Sequence, residues 1–239
     1  MISLEEVSFY YTRDRYILKD LSIEFPSDKI SVILGPNGVG KTTLLKIIAG
    51  ILRPVKGSVK IHGRSPWEMR GRIGYIPQGS GLYPWMRVRD NIELPLKILG
   101  ESRVNREKIV YEIAEKLGIG ELLDRYPREL SGGESQKVAI SRILVSRSEV
   151  LLMDEPLSMI DLRSRRELID LIRKLNRDLR TTTLMVTHNI EDAVELGDLI
   201  YIVGDRPLKI IEVYDKNNYD VRDLYSRIVR ILDSGFRVV

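Results

Sequence analysis

Residues 35–42 read Gly-Pro-Asn-Gly-Val-Gly-Lys-Thr, a spacing that suits one kind of chemistry, the holding of a nucleoside triphosphate by its phosphates. Glycines at 35, 38 and 40 let the backbone curl so that successive N–H groups turn inward on anionic oxygens. The positive end of a following helix adds to that pull. Lys41 can reach the outer phosphates and the Thr42 hydroxyl can ligate Mg²⁺, with Thr43 directly behind. Pro36, Asn37 and Val39 complete the loop. A bare turn between a strand and a helix would need neither three glycines at this spacing nor a Lys-Thr pair.

Two further segments carry chemistry. Val150-Leu151-Leu152-Met153-Asp154-Glu155-Pro156 is four apolar residues followed by two acids, which reads as a buried strand ending in carboxylates. In open α/β sheets ligands bind at that end of the strands. Asp154 is placed to hold Mg²⁺ through water, and Glu155 to orient or deprotonate an attacking water. Leu130-Ser131-Gly132-Gly133-Glu134 opens a helix running to about Val145. Ser131 with Glu134 three residues on is a capping box, which needs no function. The two glycines remain unexplained by a cap, since each costs about 1 kcal/mol against alanine in a helix, and bare backbone there suits close approach to an anion.

The elements that must position these residues follow from periodicity. Ser31–Leu34 before the phosphate loop is a buried strand, and Thr42–Ala49 after it a helix stopped at Gly50. Ile2, Leu4, Val7 and Phe9, then Ile17, Leu21, Ile23 and Phe25, predict two antiparallel strands joined by a turn at Tyr10–Asp14. Short strands are expected at Ser58–His62 and Ile73–Pro77. From about Tyr83 the pattern turns helical, with Ile109, Ile113 and Leu117 on one face. Val150–Met153 and Thr183–Val186 predict parallel strands, with an amphipathic helix from Leu162 to Leu179 between them. A last helix, capped by Asp220, has Leu224, Tyr225, Ile228 and Leu232 on one side. The arginines at 163–166 and 173–180 predict a solvated helix face.

Composition bounds the rest. The 239 residues hold 38 basic and 34 acidic side chains and no cysteine. Disulfides and thiolate metal sites are excluded, and the mixed charge offers no basic stripe for nucleic acid. No run approaches the roughly 20 apolar residues of a membrane helix, and the first residues do not read as a secretion signal.

The chain resembles the nucleotide-binding subunit of an ATP-binding cassette (ABC) transporter along nearly its whole length, with Leu130–Glu134 matching the family's signature sequence. The resemblance implies an α/β fold: a phosphate-loop NTPase (RecA-like) core with a mostly parallel sheet, an N-terminal antiparallel β part and an inserted α-helical part. The single ATPase domain 1–239 would divide into a core at 1–82 and 147–239 and a helical signature part at 83–146. It implies ATP and Mg²⁺ as ligands, Gln78 as a further Mg²⁺ ligand, Asp161 in a loop at the subunit interface (after Ser158-Met159-Ile160) and His188 on the γ-phosphate. Tyr11 falls where an aromatic ring stacks on adenine, with Tyr10 and Tyr16 as alternatives.

In this family two ATPase subunits, identical or pseudo-symmetric, face head to tail. Ser131, Gly132, Gly133 and Glu134 of one would then act on the ATP held by residues 35–43 of the other. The resemblance implies transmembrane permease subunits and an extracytoplasmic solute-binding protein as partners, no nucleic acid, and a cytoplasmic position on the inner face of the cell membrane. Leu82-Tyr83-Pro84-Trp85, Asp90-Asn91-Ile92 and Asp205-Arg206-Pro207 are similar to importers of the nitrate, sulfonate and taurine type. Trp85 could serve core packing or docking equally, and the short C-terminal part leaves no room for a regulatory domain of the sugar-importer kind. An exporter-type ATPase, a non-transport member of the superfamily, and a phosphate-loop kinase or nucleotide switch are the other readings.

Overall fold

The computed structural model describes residues 1–13, 15–69, 71–158 and 160–233; Asp14 of the expected turn and Met159 of the expected interface loop lie outside the described residues. Strands β1 (Ile2–Tyr10) and β2 (Tyr16–Phe25) pair antiparallel, as the alternation predicts. The step from Leu4 to Val7 breaks strict alternation because a bulge intervenes: the register shifts there and Glu6 takes a φ of 48°. The extra residue returns Val7 to the core face, where it is fully buried. Strand β4 (Lys56–Ile61) pairs with the other edge of β1 and completes a three-stranded sheet.

A six-stranded sheet carries the chemistry. Its order is β5-β6-β7-β3-β8-β9, with β3 (Ile30–Leu34), β5 (Ile73–Ile76), β6 (Val150–Asp154), β7 (Thr182–Thr187), β8 (Leu199–Gly204) and β9 (Lys209–Asp215). Pairings are parallel except β8 with β9. Every residue of β3, β6 and β7 is buried, the continuous burial expected of parallel strands covered on both faces. On one face lie helix α1 (Lys41–Ile48) and the three-stranded sheet, sharing a core of Ile33, Leu44, Leu45, Phe25 and Val186. Leu44, Leu45, Ile47 and Ile48 of α1 are fully buried, worth about 1.5–3 kcal/mol each. This burial fixes the helix that follows the phosphate loop.

The opposite face is covered by α4 (Gly132–Val145), α5 (Leu162–Leu179), α6 (Ile190–Leu196) and α7 (Val221–Asp233). Helices α2 (Val88–Ile98) and α3 (Arg103–Lys116) pack on α4 and extend that core. The α3 stripe is centred on Val110, Ala114 and Leu117, with Ile109 and Ile113 only partly buried. In α7, Leu224 and Ile228 are buried, whereas Tyr225 is 40% exposed and stands off the expected stripe.

The arginine-rich face of α5 departs from expectation. Arg165 is not solvated: its side chain is 13% exposed and its guanidinium lies 2.6 Å from Asp192, itself 7% exposed, tying α5 to α6. Arg173 donates to the Glu195 carbonyl on the same neighbour. Of Trp85's two roles, core packing is excluded, since the ring is 72% exposed and rests against Tyr83.

Candidate active site

The parallel register brings three separate segments to one edge. Leu34 of β3 stands opposite Thr187 of β7, and Asp154 of β6 opposite Val186, so Gly35, Glu155 and His188 all emerge from the same end of the sheet. Gly35 begins the phosphate loop with its N–H on the Thr187 carbonyl, and a β-carbon there would stand 2.3 Å from the Val203 carbonyl oxygen. Only glycine fits. Gly40 ends the loop at φ 115°, and a β-carbon would meet Ile17 at 2.6 Å. Between them Val39 points inward and is 1% exposed, anchoring the loop to the core. Among the described residues no side chain caps α1, and its first turn holds no acid, so its leading N–H groups remain available to an anion.

Lys41 is buried and folds back, its Nζ donating to the carbonyls of Gly35 (2.8 Å) and Pro36 (2.9 Å). Burial holds its amine below the usual lysine range, a pull that Glu155 and Asp154 partly oppose. Thr42 Oγ1 donates to Asp154 Oδ1 at 3.1 Å. Burial pushes the Asp154 carboxyl up, the Thr42 hydrogen bond and Lys41 pull it back, and the Glu155 charge adds to the rise.

Glu155 is 8% exposed and sits at φ 51°, its N–H on the Val186 carbonyl at 3.0 Å. Its own carbonyl accepts from the Ser158 hydroxyl at 2.9 Å, which closes the turn behind β6. The carboxylate accepts from His188 Nδ1 at 2.7 Å, an arrangement that leaves Nε2 free to face a substrate. The sequence names Glu155 and His188 separately; their direct contact comes from the alignment of β6 and β7.

These groups line one cleft of about 370 Å³. Of the residues expected at the site, Tyr11, Asn37, Gly38, Gly40, Lys41, Thr42, Thr43, Gln78, Asp154, Glu155 and His188 meet there. Tyr11 is the ring that reaches it, 61% exposed with its hydroxyl 3.2 Å from Thr43 Oγ1. Tyr10 and Tyr16 instead pack edge to face against each other. The donor set around Thr42 is a hydroxyl, an amide and carboxylates, all oxygen-bearing, which suits Mg²⁺. Among the described residues no three His, Cys, Asp or Glu side chains are grouped to hold a metal. A cation would therefore draw on Thr42, Gln78 and Asp154 together with phosphate and water.

Ser131, Gly132, Gly133, Glu134 and Asp161 do not line the cleft. The capping box is present in both directions, Glu134 N to Ser131 Oγ at 3.2 Å and Ser131 N to Glu134 Oε2 at 2.7 Å. Gly133 has a packing reason that the sequence alone does not disclose: a β-carbon would stand 2.6 Å from that of Ser164 on α5. Gly132 is exposed. Asp161 caps α5, accepting from the N–H groups of Arg163 and Ser164. Two cleft residues go unpredicted, Ile17 and Arg206. The apolar run Leu199–Val203 signals the strand that delivers Arg206, but β8 and β9 are absent from the sequence-based expectation.

Residues 18–158 match the sequence profile of the family described as ABC transporter. Over 231 residues, 95% of this chain, it is 39% identical to the molybdate/tungstate import ATP-binding protein WtpC of Pyrococcus horikoshii, spanning 64% of that relative's length. The same-named protein of Archaeoglobus fulgidus is 38% identical, covering 89% of this chain and 94% of the relative. The taurine import ATP-binding protein TauB of Roseobacter denitrificans is 34% identical, covering 82% and 74%. A solved dimeric ATP-binding cassette, described as a post-hydrolysis state bound to ADP and Pi, superposes with a TM-score of 0.81 at 27% identity, covering 90% of this chain and 99% of its own. The chain belongs to the ABC transporter family.

Proposed function

We propose that the chain is the ATP-binding and ATP-hydrolysing subunit of an importer, coupled to separate membrane subunits. The observation that carries this reading is the convergence, in one cleft, of a complete phosphate loop, the Thr42–Asp154 contact and the Glu155–His188 pair. Nucleotide binding alone would need only the first.

In this reading Tyr11 stacks on the adenine, and the loop N–H groups and Lys41 hold the phosphates. Lys41 gives up its contacts with Gly35 and Pro36 as the phosphates enter. Mg²⁺ would be held by Thr42, Gln78 and, through water, Asp154, and when bound supplies neutralisation of phosphate charge. Glu155 takes the proton of the attacking water. His188 orients that carboxylate through Nδ1–H, and its Nε2 donates to the γ-phosphate when that nitrogen also carries a proton.

Ser131–Glu134 lie outside the cleft of their own chain, which supports their acting on the nucleotide of a second subunit, with Asp161 at the same junction. The neighbour is described as a dimer, which supports the pairing of two such chains. Residues 83–146 serve as the helical signature part, and the Tyr83–Trp85 loop faces the permease. No described helix is long and apolar enough to cross a membrane, which agrees with peripheral attachment through such a partner, with a solute-binding protein upstream. The molybdate/tungstate and taurine relatives support a small oxyanion or sulfonate as cargo. That cargo rests on resemblance, since the cleft itself faces the nucleotide.

The test is ATP titration and phosphate release by the full chain and by Lys41→Ala. The reading expects Mg²⁺-dependent release in the parent and weakened ATP binding in the variant. Equal ATP affinity in the two proteins, or binding without any hydrolysis in the parent, would overturn it.

A further inference from the structure

Arg206 stands in the turn between β8 and β9 and lines the same cleft as Tyr11 and Lys41. The turn is held firmly. Leu208, 2% exposed, donates its N–H to the Ile17 carbonyl at 2.8 Å, and Asp205 pairs with Lys209 at 3.9 Å. A β-carbon on Gly40 would lie 2.6 Å from Ile17 and 3.8 Å from Leu208, so this turn stands beside the last glycine of the phosphate loop. Yet the arginine at its tip is exposed and, among the described residues, has neither a hydrogen bond nor an ion pair. No polar contact of its side chain among the described residues holds the fold.

Its surroundings leave little else for it to do. The acids of the cleft are engaged elsewhere, Asp154 by Thr42 and Glu155 by His188. Lys41 and Arg206 are the lysine and arginine among the residues lining the cleft, and of the two only Arg206 has, among the described residues, no polar partner to give up as a nucleotide enters. A nucleotide brings several negative charges into this space. A guanidinium presents a planar fork of donors that matches phosphate oxygens, and it holds its charge at any physiological pH.

We infer that Arg206 is a further nucleotide-binding residue, its guanidinium contacting the phosphate chain of the nucleotide from the β8–β9 turn. The inference rests on the ATP-binding reading above and assigns this site a second cation. It gives Arg206 a part in affinity and none in the chemistry at the γ-phosphate, because Glu155 and His188 already occupy that role.

The experiment is equilibrium titration of the full chain, Arg206→Ala and Arg206→Lys with ATP, ADP and adenosine, alongside nucleotide-free melting. Loss of one charge-assisted contact should weaken ATP and ADP binding by about tenfold in Arg206→Ala. Arg206→Lys should recover part of that loss, while adenosine binding and the melting temperature stay as in the parent. ATP affinity in Arg206→Ala within about twofold of the parent, less than half a kcal/mol, would overturn the inference. So would adenosine binding weakened as much as ATP, which would move the contact to the base, or a lowered melting temperature, which would make the role structural. A parent chain that fails to bind ATP would sink the functional reading and this inference with it; normal parent binding with an indifferent variant would sink this inference alone.

Discussion

Replacing Glu155 by glutamine should stop turnover while leaving ATP bound. The carboxylate is 8% exposed, its Oε1 lies 2.7 Å from His188 Nδ1, and its backbone is pinned by the Val186 carbonyl. Glutamine keeps the volume and can still accept from His188, so the cleft retains its shape. What disappears is a base. General-base assistance is worth roughly 10²–10⁴ in rate, which at 1.36 kcal/mol per tenfold is about 3–5 kcal/mol of barrier. Tyr11, Lys41 and Thr42 are untouched, so ATP affinity should change by less than about threefold. Single-turnover phosphate release with saturating ATP, paired with a binding titration, separates the two quantities. His188→Ala should fall in the same range, and the double variant should be little worse than either single one, because the two side chains act as a unit. Turnover in Glu155→Gln within about threefold of the parent would refute the assignment of the base, and additive losses would refute the pairing.

Three further outcomes follow from packing and charge. Gly133→Ala should destabilise the chain by about 1–3 kcal/mol, because its methyl would stand 2.6 Å from the Ser164 β-carbon, and Ser164→Gly in the same chain should restore the melting temperature. Arg165→Ala should cost about 3–5 kcal/mol in a denaturant titration, since it leaves the Asp192 carboxylate buried without its partner. Asp154→Asn should stabilise the nucleotide-free chain in a pH-dependent way. Burial raises the Asp154 carboxyl above its ordinary value in the fold, so its ionised form is the disfavoured one. The penalty is absent below the ordinary value and grows as pH rises through the raised one. The melting temperatures of parent and variant should therefore converge in acid and separate towards neutral pH, with the variant higher; a gap that closes as pH rises would contradict this.

The residues that line the cleft are largely legible from 35–43 and 150–156, and the start of α4 from 130–134, because each couples a fixed spacing to a fixed local structure. A phosphate loop must follow a strand and open a helix, and β3 and α1 do so within one residue of expectation. The α5 boundaries, Leu162–Leu179, are likewise readable from its periodicity. What stays hidden is non-local. The Glu155–His188 contact depends on which strands are neighbours, and β6 beside β7 cannot be read from either segment. Arg206 reaches the cleft because β8 lies next to β3, some 170 positions earlier in the chain. Burial of Arg165 likewise depends on where α6 docks. Gly133 shows the opposite failure: its bare backbone suggests an anion, yet close packing on Ser164 already requires glycine, so this residue by itself does not argue for a ligand.

We propose that this cleft becomes a complete catalytic site only when a second copy lays its Ser131–Glu134 segment over the bound ATP. Phosphate release per mole of chain, measured across protein concentrations spanning the monomer–dimer transition seen by sedimentation in the same buffer, tests it most directly. Specific activity should climb with concentration in step with the dimer fraction and approach zero at dilution. Specific activity that stays constant where the chain sediments as a monomer would contradict it.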